Sequence, residues 1–181
     1  MCSSDLHLSV TEAGDLLGPM HLFGGVAATL ATYLAVAPLA RQDPRRVSWL
    51  MAAIVALATV PSILLFMTTD LATARWLLWL LVPAIYFFIG PTMGLLQNVV
   101  PVGIRSQTIA VLMFVANVFN LIIGPQVVGL GSDALAPVFN SQAESLRIAL
   151  LCLAPTGFWG AWHYYASARA LREAQHRASG T

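Results

Sequence analysis

Charged residues are scarce in this chain of 181 residues, and Lys is absent altogether. Only 9% of the residues are charged, against about 25% in a typical soluble domain, while 58% are hydrophobic. A soluble domain of this length needs a charged surface around its core. The scarcity of charge therefore excludes that class and indicates a membrane protein.

Cysteine is rare, and recognisable catalytic motifs are absent from the sequence. Cys2 and Cys152 lie in a polar leader and in an apolar run, so we expect no disulfide framework and no metal-ligand spacing. There is no nucleophile elbow, no phosphate-binding loop and no cluster of His, Cys and carboxylates. The few basic residues give no nucleic-acid footprint. We therefore predict no enzyme activity, no cofactor, no metal site and no nucleic-acid partner.

Long apolar runs are what the chain does contain. A spanning helix needs about 20 mostly apolar residues, and five segments have that length: 12–39, 47–68, 75–99, 108–130 and 145–167. The gaps between them are too short for a separate soluble domain. The predicted fold is an all-α, polytopic membrane helix bundle with five transmembrane helices. The transmembrane region covers residues 12–169, between a polar leader at 1–11 and a basic tail at 170–181.

The polar leader has neither the basic region nor the apolar region of a secretory signal peptide. Such an abrupt beginning is typical of a truncated or mis-assembled reading frame. Residues 1–6 are therefore a candidate non-native segment.

The nine Arg residues alternate between the gaps that separate the apolar runs. Arg75 and Arg147 occupy the second and fourth gaps alone. The other seven fall in the first gap, the third gap and the tail: Arg41, Arg45, Arg46, Arg105, Arg169, Arg172 and Arg177. By the positive-inside rule, these seven lie in the cytoplasm. Five spans then place the N-terminus outside and the C-terminus inside, in a multi-pass protein of the cell (inner) membrane.

Aromatic residues flank several of these basic positions. Trp159, Trp162, Tyr164 and Tyr165 precede Arg169 at the inner end of the fifth span. Amphipathic rings are enriched where membrane helices meet water. We assign this belt to anchoring in the lipid bilayer.

Neutral polar residues form stripes on three predicted helices. At helical spacing, the residues of each stripe share a face: Gly18, His21, Gly25 and Thr32 on the first; Tyr86, Gly90 and Gln97 on the third; Asn117, Asn120 and Gly124 on the fourth. The stripes either line a common cavity or form helix contact faces, where small residues allow close approach and amides bond across helices. His21 is either a hydrogen-bonded structural residue or a proton carrier. No carboxylate lies deep in a span, so a proton-coupling acid is not expected in this part.

Proline and glycine interrupt the third span at Gly90-Pro91 and the fourth at Gly124-Pro125. Proline frees a backbone carbonyl that a neighbouring helix or water must satisfy. Kinks are therefore expected at both places, and these are candidate gating bends. The alternative is that Gly and Pro are simply commoner in membrane helices than in soluble ones.

Four short sequences resemble the major facilitator superfamily, most of all its spinster-like branch. Residues 97–105 read QNVVPVGIR and residues 124–133 read GPQVVGLGSD, similar to that branch's Q-x-x-x-P-x-x-x-R and later G-P-x-x-V-G-x-x-S-D. Residues 11–14, followed by Gly18, resemble the beginning of the family's eighth helix. Residues 39–45, LARQDPR, resemble the end of its eighth-to-ninth cytoplasmic loop.

The resemblance implies a partial major facilitator fold that contains helices eight to twelve of a twelve-helix transporter. The partner of this chain would then be the missing N-terminal half of the same transporter. The family's acidic residue at the end of the eighth helix is absent here, and only Asp43 remains further into the loop. A conventional charge latch is therefore in doubt, although Arg41 and Arg45 remain available to pair elsewhere, and Arg105 would hold the inner loop.

These observations lead to a functional hypothesis and an alternative. The first is the C-terminal part of a secondary active transporter that moves a small organic or amphipathic solute by alternating access. Its cavity candidates are His21, Tyr86, Gln97, Asn117 and Asn120. The alternative is a complete five-span scaffold or assembly protein without transport activity. A membrane-embedded enzyme would need a cluster of His or acidic residues that the sequence lacks.

Overall fold

A computed structural model describes residues 10–139 and 141–179 of the chain. In this part of the chain the backbone is helical apart from short connections and contains no strand, which confirms the all-α prediction. Most of the predicted leader lies outside the described residues. The elements are α1 (Val10–Gln42), α2 (Pro44–Met67), α3 (Leu71–Val99), a 3-10 turn (Val102–Ile104), α4 (Arg105–Val118), a π-helical segment (Phe119–Ile123), α5 (Gly124–Leu135), α6 (Gln142–Leu153) and α7 (Thr156–Ser179).

Four stretches of helix are long and apolar enough to cross a membrane. They are Gly14–Gln42, Pro44–Met67, Leu71–Val99 and Val102–Leu135, and they cover the first four predicted spans. The last of them runs without a break from the 3-10 turn through α4, the π-helical segment and α5. These helices support a multi-pass membrane protein.

The fifth predicted span, 145–167, differs from the structure because it is divided into α6 and α7. The division lies at Ala154 and Pro155. Pro155 has no N–H to bond the carbonyl four residues before it, so the helix lacks one hydrogen bond at the point where it divides. The Thr156 hydroxyl donates a hydrogen bond to the Leu153 carbonyl at 2.7 Å, which satisfies one acceptor at the break. Beyond the predicted span, α7 continues to Ser179.

Three helices begin at a side-chain cap, which explains where the chain turns. The carboxylates of Asp43 and Asp70 accept hydrogen bonds from the backbone N–H groups of Arg45 and Thr73, at 2.9 and 2.7 Å. Ser141 accepts one from the N–H of Glu144 at 3.2 Å. Each cap satisfies a donor that the first helical turn leaves without an intrahelical partner. Pro44, the first residue of α2, fits there because it has no such donor.

Helices α1 and α3 run parallel to each other and pack closely. Near the middle of both helices, Gly24 lies against Pro83, where an added Cβ would come within 2.9 Å of the proline Cγ. Further along both helices, the Thr32 hydroxyl bonds the Phe87 carbonyl. A larger residue at Gly24 would push the two helices apart, so this glycine permits the close approach.

Helix α2 runs antiparallel to α7 and joins it to the bundle. The Ser48 hydroxyl donates to the carbonyl of Tyr164 at 3.0 Å, and eleven residues later in α2 Thr59 lies beside Gly157. The buried cluster of Val36, Val47 and Met51 packs where α1 ends and α2 begins. Helices α1, α2, α3 and α7 therefore form one packed group.

The long helix that contains α4 and α5 stands largely apart from that group. None of the most apolar stretch of Val102–Leu135 is buried. Its main support is α6, where an added Cβ on Gly131 would lie 3.5 Å from the Cβ of Ala149. One long face of a membrane-length helix is therefore left without a protein neighbour in the described part of the chain.

The described Arg side chains segregate to the two ends of the bundle. Arg75 and Arg147 lie at the end where α3 and α6 begin. Five lie at the opposite end, where α1 and α3 end and α2 and α4 begin: Arg41, Arg45, Arg46, Arg105 and Arg169. We call this the basic end. The helix directions thus place the Arg residues as the alternation in the sequence predicted.

Candidate functional site

The candidate cavity residues of α1 and α3 meet in the structure. The rings of His21 and Tyr86 lie edge to face, with their centroids 6.0 Å apart. Gly25 lies beneath the Tyr86 ring, where an added Cβ would be 3.7 Å from the ring atoms. Both rings are exposed at the surface of the helix pair. The first and third stripes therefore form one polar surface, which we call the α1–α3 polar surface.

A hydrogen bond to its own helix orients the ring of His21 and selects the tautomer of the neutral imidazole. Nδ1 lies 2.8 Å from the carbonyl oxygen of Leu17. A carbonyl oxygen can only accept, so Nδ1 carries a hydrogen and the neutral ring has its lone pair on Nε2. The free Nε2 lets His21 accept a hydrogen bond from a solute or water.

The carbonyl that Pro91 frees is satisfied by a residue of α1. Pro91 has no N–H for the Phe87 carbonyl, and the Thr32 hydroxyl donates to that carbonyl at 3.2 Å. A cleft of about 240 Å³ lies beside the bend, between Thr32, Gly90 and Gly94. The first candidate gating bend is therefore held from outside its own helix.

The second candidate gating bend is a local change of helix type. Residues Phe119–Ile123 are π-helical, and the N–H of Gly124 bonds the carbonyl of Phe119, five residues earlier. Pro125 follows directly and has no N–H to give. This π-helical segment lies within the polar stripe of the fourth predicted span, which consists of Asn117, Asn120 and Gly124. Single-turn π segments are frequent at functional sites.

Asn117 and Asn120 lie at this second bend but do not meet the α1–α3 polar surface. Both are exposed, and neither side-chain amide has a hydrogen bond to another residue in the described part of the chain. Gln97, near the end of α3, is exposed and without a hydrogen bond there as well. The structure therefore joins two of the five cavity candidates and leaves the three amides uncovered.

The loop charges at the basic end form local contacts. Arg45, in the first turn of α2, pairs with Asp43, the cap of that helix, at 2.7 Å. This ion pair and its hydrogen bonds lower the pKa of the Asp43 carboxyl below its usual value. The Arg105 Nε donates to the carbonyl of Val100 at 3.0 Å and so fixes the turn between α3 and α4. Arg41 is exposed at the end of α1.

Sequence reasoning did not nominate a charged cleft at the opposite end. Glu12 and Asp15 of α1 line a cleft of about 490 Å³ together with Arg75 and Trp79 of α3. The sequence does contain a pattern that indicates this cleft. Glu12 and Asp15 are three residues apart and Arg75 and Trp79 are four apart, so each pair shares a helix face. The residues in this cleft belong to the ends of the spans.

No group of His, Cys, Asp and Glu among the described residues could hold a metal ion. No protein-family model matches this chain, and no curated protein or solved structure matches it.

Proposed function

We propose that this chain is the C-terminal part of a secondary active transporter of the major facilitator type, without enzyme activity. It would move a small organic or amphipathic solute by alternating access. The observation that carries the proposal is the uncovered helix Val102–Leu135, which has the length of a membrane span and no burial of its most apolar stretch. Asn117 and Asn120 project from this helix without a described partner.

Two amides in hydrocarbon are unfavourable unless they find partners. Each Asn carries two donors and an acceptor, and lipid tails satisfy none of them. Polar groups at membrane depth face other helices or a water-filled cavity. The second half of a carrier would provide neighbouring helices for this face. The solute path between the two halves would provide a water-filled cavity.

The two interruptions of regular helix geometry would supply the movement that alternating access requires. Carriers of this kind rock one repeat against the other around a site near the middle of the membrane. Pro91 lies within α3 beside the α1–α3 polar surface, and the π-helical segment interrupts the helix that carries both Asn residues. His21 and Tyr86 would form one wall of the cavity, with Asn117, Asn120 and Gln97 facing the missing N-terminal half.

The proposed location is the cell (inner) membrane, with the basic end in the cytoplasm. Five described Arg side chains gather there, against two at the other end. Positive loops remain on the cytoplasmic side during insertion. The beginning of α1 would then lie outside and the end of α7 in the cytoplasm.

Uptake by the chain alone is the direct test. We expect no saturable uptake of organic solutes by this chain reconstituted in liposomes, because half of the cavity would be missing. The DNA upstream of the first codon should encode seven further spans in frame, and the extended protein should transport. Saturable uptake by the chain alone would reject the proposal.

The scaffold hypothesis relies on the same uncovered face. In that case the amides of Asn117 and Asn120 bond to another membrane protein, and the chain needs no second half. A stop codon and a ribosome-binding site directly upstream would favour the scaffold over the carrier. In that case both Asn side chains would be shielded from water once the partner is bound.

A further inference from the structure

A groove of about 590 Å³ lies at the basic end, between α3, α4 and α7. It is separate from the α1–α3 polar surface and contains none of the proposed cavity residues. Its apolar wall includes Leu95, Leu96, Val99, Leu112, Trp159 and Leu171. The groove therefore offers a binding surface that the proposed function does not use.

Most polar groups in the wall of the groove are already bonded to the protein. The Thr92 hydroxyl donates to the Phe88 carbonyl at 2.6 Å, so the hydrogen between Thr92 and Tyr164 comes from the tyrosine hydroxyl. The Ser167 hydroxyl donates to the Tyr164 carbonyl at 2.7 Å. His163 also lines the groove and packs edge to face against Trp159, with ring centroids 4.6 Å apart. With the three hydroxyls bonded, the rest of the wall presents mainly hydrocarbon, which suits an alkyl chain better than a polar solute.

The length of the groove matches one leaflet of a bilayer. Trp159 and Leu171 both line it and are twelve residues apart in α7, which is about 18 Å along a helix. Half of the hydrocarbon core of a bilayer is about 15 Å thick. A fatty acyl chain of the surrounding membrane therefore fits lengthwise along α7.

A guanidinium lies beside the groove at the basic end. Arg105 bonds the carbonyl of Val100, the residue that follows the groove-lining Val99. It is seven residues before Leu112, so both lie on the same face of α4. Only Nε has a hydrogen bond in the described part of the chain, which leaves both Nη groups to bind an anion.

We infer that this groove binds an anionic phospholipid of the adjacent leaflet, with one acyl chain along α7 and the phosphate at Arg105. A guanidinium recognises phosphate oxygens through parallel hydrogen bonds. The lipid would fill the space between α4 and α7 and hold the otherwise unsupported beginning of α4 against the bundle. This inference does not depend on whether the chain transports a solute.

Tryptophan fluorescence can test the inference in the whole chain. One variant keeps only Trp159, which lines the groove, and the matched variant keeps only Trp162. In both, the remaining tryptophans become Phe. Both tryptophans are exposed, by 68% and 61%, and they lie three residues apart in the same membrane layer. Each variant is reconstituted in phosphatidylcholine vesicles with increasing amounts of brominated phosphatidylglycerol, whose bromine quenches nearby tryptophan.

We expect half-maximal quenching of Trp159 at a mole fraction of the brominated anionic lipid about fivefold lower than for Trp162. Brominated phosphatidylcholine should quench both equally. Arg105→Gln should abolish the difference. Arg169→Gln removes the same charge at the same end and should preserve it, because Arg169 is about 200° from Ser167 and from Leu171 around α7. Equal quenching of both tryptophans by the anionic lipid would overturn the inference.

A second measurement is the melting temperature of the chain in detergent. It leaves all the natural tryptophans in place and so avoids multiple substitutions. A ligand that binds only the folded state raises the melting temperature. Phosphatidylglycerol added to the detergent-solubilised chain should raise it more than phosphatidylcholine does, and Arg105→Gln should remove that excess. An equal rise with both lipids, or an unchanged excess in Arg105→Gln, would contradict the proposed site.

Discussion

The hydroxyl of Thr32 on α1 donates a hydrogen bond to the main-chain carbonyl of Phe87 on α3, at 3.2 Å. This carbonyl has lost its helical donor because Pro91 has no N–H. Thr32→Val keeps the shape and removes the donor. We expect it to reduce the free energy of unfolding by about 0.6 kcal/mol, and by at most about 1.7 kcal/mol, in a denaturant titration in detergent.

The control for this hydrogen bond is Thr29→Val. The Thr29 hydroxyl bonds Gly25 of its own helix at 2.8 Å, so its loss should hardly affect the contact between α1 and α3. Pro91→Ala restores an N–H to the Phe87 carbonyl. In that background Thr32→Val should cost less, and an equal cost in both backgrounds would reject the link between Thr32 and Pro91.

Gly157 determines how closely α7 approaches α2. A Cβ added at Gly157 would overlap the hydroxyl of Thr59, which is buried and donates to the carbonyl of Val55. Gly157→Ala should therefore lower the free energy of unfolding by about 1–3 kcal/mol, despite the better helix propensity of Ala. Thermal unfolding in detergent measures the change.

The matched control for Gly157 is Gly160→Ala, one turn further along the same helix. An added Cβ there would lie 3.9 Å from Val55 Cγ1, an ordinary contact, so stability should stay nearly the same. Thr59→Ala should partly rescue Gly157→Ala by making room. If the two glycine variants were equally stable, the contact between α2 and α7 would be looser than described.

The sequence was sufficient to predict a multi-pass helical architecture, four of the spans and the segregation of the described Arg residues to the two ends of the bundle. It did not predict which prolines end a helix. Pro91 lies within α3, where Thr32 of another helix bonds the freed carbonyl, whereas the chain breaks at Pro155. Pro19, Pro38, Pro61 and Pro83 also lie within their helices, so the same residue type has two outcomes. The contact that satisfies the carbonyl freed by Pro91 joins two residues 55 positions apart in the sequence. Hydrophobic periodicity contains no information about that.

The stripes show the same limit for the candidate site. Their spacing predicted that His21 and Tyr86 would each lie on a polar face of its own helix. That the two rings meet depends on the packing of α1 against α3, which Gly24 permits by its lack of a side chain. The stripe with Asn117 and Asn120 stays uncovered because no described element packs on that face.

The ion pair between Asp43 and Arg45 predicts acid sensitivity at the basic end. The pair, with its hydrogen bonds, lowers the pKa of Asp43 below its ordinary value of 3.8. A lowered folded-state pKa gives stability that is present above pH 3.8 and is lost as the pH falls through the lowered value. We expect the melting temperature in detergent to decrease in that range.

Two substitutions isolate the contribution of Asp43. Asp43→Asn keeps an oxygen that can accept a hydrogen bond from the Arg45 N–H but has no charge. The part of the acid-induced decrease in melting temperature that comes from Asp43 should therefore disappear. Asp70→Asn is the comparison at the opposite end, where a hydrogen bond from Thr73 lowers the pKa of Asp70. It should remove only the share of the acid-induced decrease that comes from Asp70 and leave the share that comes from Asp43. If Asp43→Asn and the wild type lost stability in parallel at low pH, the ion pair would contribute nothing.

Cysteine accessibility distinguishes a cavity wall from a lipid-facing surface on α4 and its π-helical continuation. We expect Asn117→Cys and Asn120→Cys, in a chain whose Cys2 and Cys152 are replaced by Ser, to react with a charged, water-soluble thiol reagent in the complete carrier. The reason is that thiolates form only where water reaches. Val115→Cys is the control, since Val115 is 43% exposed and lies about 160° from Asn117 and about 140° from Asn120 around the helix, where it would face lipid or protein. We expect labelling of both Asn positions at least tenfold faster than at Val115. Equal, slow labelling at all three would mean that the Asn stripe is a helix contact face.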